Sequence, residues 1–263
     1  MNIRSTINPD YIQMRQWLNQ LPGMFDTHGE ILYDSRNQVR DIEVAGRHVV
    51  AKRFKRPPLH LRIDYTLRRP SKACRAYNYG LRLIELGIST PQPIACIETY
   101  ENKLYADGYL VTMPCYDPDL RLLRNEPDTH PDLVEALMTF IADMHRKGFM
   151  HGDTNLSNFL YRPDSSSPTG YHITAIDINR SVFVDNPTPK QCLRNLVRLT
   201  HLRQLLATLV GRYALLRGWN ETESVDYVIH SLDQFEKRKQ LLSKCRKLCN
   251  LRNNHPAHIE VPE

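Results

Sequence analysis

The stretch His151-Gly152-Asp153-Thr154-Asn155-Leu156-Ser157-Asn158 sets an aspartate and an asparagine in one polar segment, followed directly by the apolar Phe159-Leu160-Tyr161. That spacing lets both side chains enter a single pocket from a tight loop anchored by a strand, which is the layout of a phosphoryl-transfer catalytic loop. In such a loop Asp153 accepts or orients the hydroxyl of an incoming acceptor, and Asn158 gives its carbonyl oxygen to a magnesium ion. Asp177 ends the apolar run Ile173-Thr174-Ala175-Ile176. It is the expected carboxylate ligand, because hard cations take oxygen donors. His151 joins this catalytic group as the residue that holds the loop by hydrogen bonding near Asp177 rather than by moving protons. Taken singly, an aspartate after glycine is most often a turn residue satisfying its own backbone. Three matches in the right order, each on its expected element, favour chemistry.

Lys52 is the second half of the constellation. It lies in Val49-Val50-Ala51-Lys52, whose apolar neighbours bury the stem and leave the ammonium free to hold an α- or β-phosphate. A lysine opening a Lys52-Arg53-Phe54-Lys55-Arg56 run would otherwise read as a solvated charge. His145 falls on the helix before the loop, and without a Cys or Glu to complete a ligand set a metal site there is disfavoured.

The elements that must position these groups follow from periodicity. Tyr11 to Leu21 reads as a short amphipathic helix stopped by Pro22-Gly23. Glu30 to Tyr33, Val39 to Val44 and His48 to Phe54 are short β-branched runs separated by turn residues, hence three antiparallel strands. Ser71 to Leu86 has helical spacing, with Ser71 as cap and Gly87 as stop. Two further strands cover Ile94 to Glu98 and Tyr109 to Met113, and Pro114 ends the sheet. Asp132 to Lys147 is periodic and closes on Gly148. Strands flank the Ser165-Ser166-Ser167-Pro168 turn, and beyond Pro189 only helices are credible: Gln191 to Leu202, Arg203 to Leu216 and Glu223 to Cys249, with a polar tail to Glu263.

Composition is that of an ordinary globular chain of 263 residues. Thirty-five Lys and Arg against 29 Asp and Glu leave a charge of +6, which favours acidic ligands. The six cysteines form no paired framework and no C-x-x-C knuckle, and the expectation is that all are reduced. Met1 to Asp10 has no apolar core, and Arg212 interrupts the apolar run Leu205 to Leu216, so the expectation is a cytoplasmic protein without a membrane span.

Together, the catalytic loop, Lys52 within its strand, the Gly87-Ile88-Ser89-Thr90-Pro91-Gln92-Pro93 joint and Ile176-Asp177-Ile178-Asn179-Arg180 resemble the lipopolysaccharide (Kdo/heptose) kinase family. The resemblance is closest to its small members, through Arg36-Asn37, Phe54-Lys55-Arg56-Pro57 and Ser71-Lys72-Ala73, and it extends from about Gly29 to Leu199. The loop alone is shared with protein kinases and aminoglycoside phosphotransferases. What the resemblance implies is an α+β, two-lobed protein-kinase-like fold: a small N-terminal antiparallel sheet lobe with one helix, residues 1–113, and a larger, mainly helical C-terminal lobe, residues 114–263. It also implies ATP with Mg2+ as cofactors and transfer of the γ-phosphoryl group to a hydroxyl, typically of a sugar in the lipopolysaccharide inner core.

Carried over by position, Lys52 is the phosphate clamp, Asp153 the base, Asn158 and Asp177 the metal ligands, and backbone near Met113 and Cys115 the adenine site. No G-x-G-x-x-G loop separates the first strands, so phosphate covering falls to a hairpin with Arg36 or Asn37. The helix glutamate that pairs with the strand lysine in relatives aligns with Asn78, and Glu85 is the nearest acid further along. That departure keeps a weakly active or inactive pseudokinase scaffold open. A protein (tyrosine) kinase is the other alternative, although no activation segment is recognisable between Asp185 and Lys190.

Two basic clusters complete the reading. Between Lys52 and Arg75, Asp64 is the only acid. This is either a solvated face or a landing surface for a glycolipid acceptor or an anionic membrane, with Tyr65 and Leu67 interleaved. Lys237-Arg238-Lys239 and Lys244 to Lys247 read as solvent-facing. With no recognised binding module, nucleic acid is not an expected partner.

Overall fold

The computed structural model describes residues 1–125 and 130–253, with side chains described to residue 243. The tail beyond residue 253 therefore lies outside the described residues, as do the side chains of residues 244 to 253, Cys245 and Cys249 among them.

Alternating apolar and polar residues build one six-stranded antiparallel sheet from β1 (Asn2–Ile7), β2 (Glu30–Asp34), β3 (Gln38–Val44), β4 (Arg47–Phe54), β5 (Pro93–Glu101) and β6 (Leu104–Thr112), in the order β1-β5-β6-β4-β3-β2. One face carries Val49, Ala51, Ile42, Ile97 and Val111, fully or almost fully buried under Leu18, Leu21 and Phe25 of the N-terminal helix α1 (Arg15–Met24) and its end. Because side chains alternate across a strand, burying Val49 and Ala51 turns Val50 and Lys52 to the other face, towards the cleft. In register, Lys52 sits between Val39 of β3 and Leu110 of β6.

Two helices follow β4: α2 (Leu59–Leu67) and α3 (Lys72–Glu85). The Ser71 side chain caps α3 by accepting from the Cys74 N–H, as the sequence predicts. The helix then lies close on the sheet through small residues. A Cβ added at Gly80 would press on the Pro93 ring, and one at Gly108 would meet the Tyr105 hydroxyl and the Ala73 methyl.

The remaining chain is mainly helical. Helix α4 (Pro131–Arg146) ends at Gly148, which adopts φ +77°, the left-handed conformation that the C′ position favours. Short strands β7 (Phe149–Met150) and β10 (Val182–Phe183) pair with each other, as do β8 (Phe159–Pro163) and β9 (Tyr171–Ala175). Helices α5 (Pro189–Leu196), α6 (Arg203–Arg217) and α7 (Glu221–Asn253) close the chain. Leu137 and Ile141 of α4, Leu196, Leu206, Leu209 and Val228 form one apolar core with Phe149 and Phe159 from either side of the polar loop. Burial of each such side chain stabilises by about 1.5–3 kcal/mol, so the loop is carried on a rigid base. Among the described residues no helix is long and apolar enough to cross a membrane.

Several expectations are corrected. The first helix does not stop at Pro22-Gly23 but runs through them to Met24, because Leu21 and Phe25 must both reach the core under the sheet. Strand β1 and helix α2 were not foreseen: in β1 only Ile3 and Ile7 are apolar, and α2 has no side-chain cap. The cysteines are not all reduced. Cys74 and Cys96 form a disulfide across the α3–β5 contact, where packing brings their Cα atoms within 5.2 Å although 22 positions separate them in sequence. Cys115 and Cys192 are free thiols.

Candidate active site

Between the sheet and the polar loop lies a cleft of about 680 Å3, within the size range of small-molecule and cofactor sites. Seven sequence-predicted residues line it: Arg36, Asn37, Lys52, Met113, Cys115, Asn158 and Asp177. Lys52 Nζ crosses from the sheet to Asp177 Oδ1 at 2.9 Å, with the Lys52 side chain mostly buried.

Asp177 adopts φ +57° and ψ +43°, a left-handed conformation that an aspartate holds only when its surroundings impose it. Those surroundings are visible. The Ile176 N–H donates to the Asn158 carbonyl at 2.9 Å, the Ala175 N–H donates to the Ser89 carbonyl, and the Thr90 hydroxyl donates to the Ala175 carbonyl. Just past the turn, Asn179 Nδ2 donates to Asp177 Oδ1. Burial pushes the Asp177 carboxyl up, but the charge and hydrogen bond of Lys52, helped by Arg180, outweigh it and hold the carboxyl below its ordinary value. Asp177 is therefore ionised at neutral pH, with Oδ2 left over as a ligand oxygen.

The loop is held from within. Asn158 Nδ2 donates to the Asp153 carbonyl at 2.8 Å, which fixes the amide and leaves Asn158 Oδ1 as its acceptor at the cleft wall. A carboxylate oxygen and an amide oxygen on one wall are a hard donor set that suits Mg2+.

His151 and Asp153 do not line the cleft. His151 is fully buried; its Nδ1 accepts from the Asp153 N–H at 3.0 Å, so Nε2 carries the proton and donates to the Ile176 carbonyl at 2.9 Å. Burial holds the imidazole below its ordinary pKa, hence neutral. It ties the loop to the strand before Asp177 and has no open path to a substrate. The Asp153 side chain is partly buried and pairs with Arg198, Nη2 to Oδ1, at 3.2 Å.

Behind the loop runs a buried polar relay. Arg217 Nη1 donates to the Tyr213 hydroxyl, Tyr213 donates to His145 Nδ1, and His145 Nε2 donates to Asn195 Oδ1 at 3.0 Å. Asn195 Nδ2 then donates to the His151 carbonyl at 2.8 Å, and the Asn195 carbonyl accepts from the Thr154 hydroxyl. His145 is thus a satisfied core histidine.

Gly152 explains how closely the loop approaches the turn at 178–181. Its N–H donates to Ser181 Oγ, and a Cβ there would run into the Arg180 carbonyl. Gly152→Ala is expected to lower stability by about 1–3 kcal/mol through overpacking, measured as a shift of the urea midpoint. An unchanged midpoint would contradict this contact.

Asn78 is the clearest correction in the site. The cleft side of α3 is Ala76 and Gly80, whereas Asn78 and Glu85 are exposed, roughly 140–180° around the helix at 100° per residue. Neither residue can pair with Lys52, whose partner is Asp177. Asn78→Glu is accordingly expected to leave turnover within about twofold of the parent. A large gain would mean that α3 rotates.

Sequence reasoning also missed Arg198 beside Asp153 and the contact of Asn179 with Asp177. Lys72 is pushed below its ordinary pKa first by burial and then by Arg180, Arg75 and Arg36. Of the charged residues lining the cleft, Lys52 pairs with Asp177 and Arg121 with Asp119, which leaves Arg36 as the cation facing an incoming anion.

A family model described as the lipopolysaccharide kinase (Kdo/WaaP) family matches residues 40–210. The lipopolysaccharide core heptose(I) kinase WaaP of Pseudomonas aeruginosa is 29% identical over 119 residues, 42% of this chain and 44% of that protein, so the match spans less than half the relative's length. Among solved structures, WaaP in complex with acyl carrier protein superposes with a TM-score of 0.59 at 18% identity, covering 88% of this chain and 98% of that one. That likeness shows a shared fold.

Proposed function

Because the chain belongs to the lipopolysaccharide kinase (Kdo/WaaP) family, we propose that it uses ATP and Mg2+ to transfer a γ-phosphoryl group to a hydroxyl of a lipopolysaccharide inner-core sugar. The observation that carries this reading is the 2.9 Å pair between Lys52 and Asp177, which joins sheet and loop across a nucleotide-sized cleft with Asn158 on the same wall.

In this reading residues 1–113 form the nucleotide lobe and residues 114–263 the catalytic lobe. Met113 and Cys115 border the adenine. Since the Met113 N–H is engaged by the Gln92 carbonyl, the base would meet the Met113 carbonyl and the Cys115 backbone. Arg36 and Asn37, at the β2–β3 turn, cover the phosphates, and Lys52 holds the α- or β-phosphate. Asn158 and Asp177 would hold Mg2+, which supplies charge neutralisation on the triphosphate when bound.

Asp153 orients the acceptor hydroxyl and takes its proton, and positioning supplies much of the rate. Arg198 pairs with the Asp153 carboxylate and stands where an acidic sugar would approach. A small acceptor is favoured over a peptide because only residues 184–188 connect β10 to α5, too short a span for a peptide-binding segment. The name of the Pseudomonas relative suggests a core heptose as acceptor. The solved WaaP complex suggests an acyl carrier protein as a binding partner.

Mass spectrometry of lipid A-core from cells with and without the protein tests the assignment. The expected result is a difference of one phosphate. An unchanged core, together with no ATP turnover on purified core acceptor, would refute it.

A further inference from the structure

Helix α2 was not foreseen from the sequence, and its exposed side is unusual. Leu59, Ile63 and Leu67 stand 58%, 42% and 73% exposed. At positions i, i+4 and i+8 they form one apolar stripe, within roughly 80° of the helix circumference. An adjoining side is what packs: Tyr65 is buried edge-on against Tyr105, Arg62 Nε donates to the Tyr105 carbonyl at 2.6 Å, and the Thr66 hydroxyl accepts from the Tyr105 N–H. Tyr65 is thus part of the core. The apolar surface lies on the three aliphatic residues instead.

The charge around this stripe has one sign. Lys55 and Arg56 precede the helix, and Arg68 and Arg69 follow it. The only acid in the segment, Asp64, is consumed by Arg69, and Arg56 pairs with Glu101. Lys55 and Arg68 make no ion pair among the described residues, so they remain available at the two ends of the stripe. The Lys55 N–H donates to Asn37 Oδ1 at 3.1 Å, and Asn37 lines the cleft. The segment leading into α2 therefore starts at the rim of the cleft.

From this juxtaposition of an exposed Leu59-Ile63-Leu67 stripe with unpaired cations at both ends, we propose that α2 docks on an anionic lipid bilayer. The aliphatic side chains enter the headgroup boundary while Lys55 and Arg68 meet acidic headgroups. Short helices with an aliphatic side and flanking cations bind bilayers through buried apolar area plus attraction to anionic lipid. Docking would hold the cleft mouth near the bilayer plane, where a lipid-anchored acceptor is presented. The proposal does not rest on the phosphoryl-transfer reading, because binding is read without nucleotide or acceptor.

Flotation of the full chain with phosphatidylethanolamine–phosphatidylglycerol vesicles tests it, with phosphatidylcholine vesicles as the neutral control. The chain should float with the anionic vesicles, and binding should weaken as salt rises from about 0.05 to about 0.5 M through screening. The triple variant Leu59→Ser, Ile63→Ser, Leu67→Ser should bind at least about tenfold more weakly. The pair Lys55→Glu, Arg68→Glu should lose about tenfold on anionic vesicles alone. All five side chains are exposed, so thermal midpoints should stay close to that of the parent. No flotation of the parent chain would overturn the proposal. So would unchanged flotation of folded triple variant, which would leave the stripe to a protein partner.

Discussion

Asp177→Asn is expected to lower phosphoryl transfer about 10^3-fold or more, the scale of removing a group that stabilises developing charge in a water-poor site. The substitution keeps the shape of the side chain and the Asn179 contact but removes the charge that pairs with Lys52. The pair is partly exposed, so its loss should move the melting temperature only slightly. The discriminating readout is nucleotide binding with and without Mg2+. The variant should keep the metal-independent part, which comes from the Met113 region and the hairpin, and lose the increment that Mg2+ adds. Asp153→Asn is the companion. Its loss of turnover should also be large, about 10^2–10^4-fold, but Mg2+-dependent nucleotide binding should survive, because Asp153 lies outside the cleft wall and beside Arg198. If both variants lose Mg2+-dependent binding equally, or if Asp177→Asn turns over like the parent, the assigned roles are wrong.

What could be read from the sequence depended on whether the information was local. Lys52 was legible because strand alternation fixes its direction once Val49 and Ala51 are buried, and both neighbours announce that burial. Asn158 and Asp177 were legible because a short polar loop followed by a β-hairpin leaves few ways to arrange them, and the pairing of Phe159 with Ala175 brings them together.

The phase of α3 on the sheet was not legible. It is set by small residues meeting across three elements, Gly80 against Pro93 and Ala73 against Gly108, and alignment by spacing alone put the wrong residue, Asn78, at the cleft. The Cys74–Cys96 bond was hidden for the same reason. Arg198 and Asn195 reach the loop from helix α5 and just beyond, so no spacing rule connects them with Asp153 or His151. The cationic Lys52–Arg75 stretch was seen, but its apolar component was assigned partly to Tyr65, because which side of α2 faces the sheet depends on contacts to Tyr105.

The second large effect concerns acid. Two histidines that hold the loop are buried neutral, and burial lowers both in the folded chain, His145 to about 4. Unfolded, each would titrate near 6.5. Between these values the unfolded chain binds more protons, so stability is at its full value above pH ~6.5 and falls as pH drops towards the folded pKa. For His145 the complete loss is about 3 kcal/mol, with a slope of about 1.4 kcal/mol per pH unit inside its window, and His151 acts in the same direction. Protonation would also force Nδ1 of His145 to donate towards a Tyr213 hydroxyl that already receives Arg217 and would have to turn, which breaks the relay to Asn195 and the His151 carbonyl. His48, raised by its hydrogen bond to Asp41, acts in the opposite sense but from an exposed position.

Urea unfolding at pH 7.5, 6.0 and 5.0 measures the net result, above the range where most carboxylates titrate. Stability should fall steadily across these three points, and turnover should fall with it as the loop loosens. His145→Gln, which cannot charge, should flatten the slope even though its stability at pH 7.5 is lower. A parent chain equally stable at pH 7.5 and 5.0 would mean that the relay tolerates a proton and that the loop is not held by it.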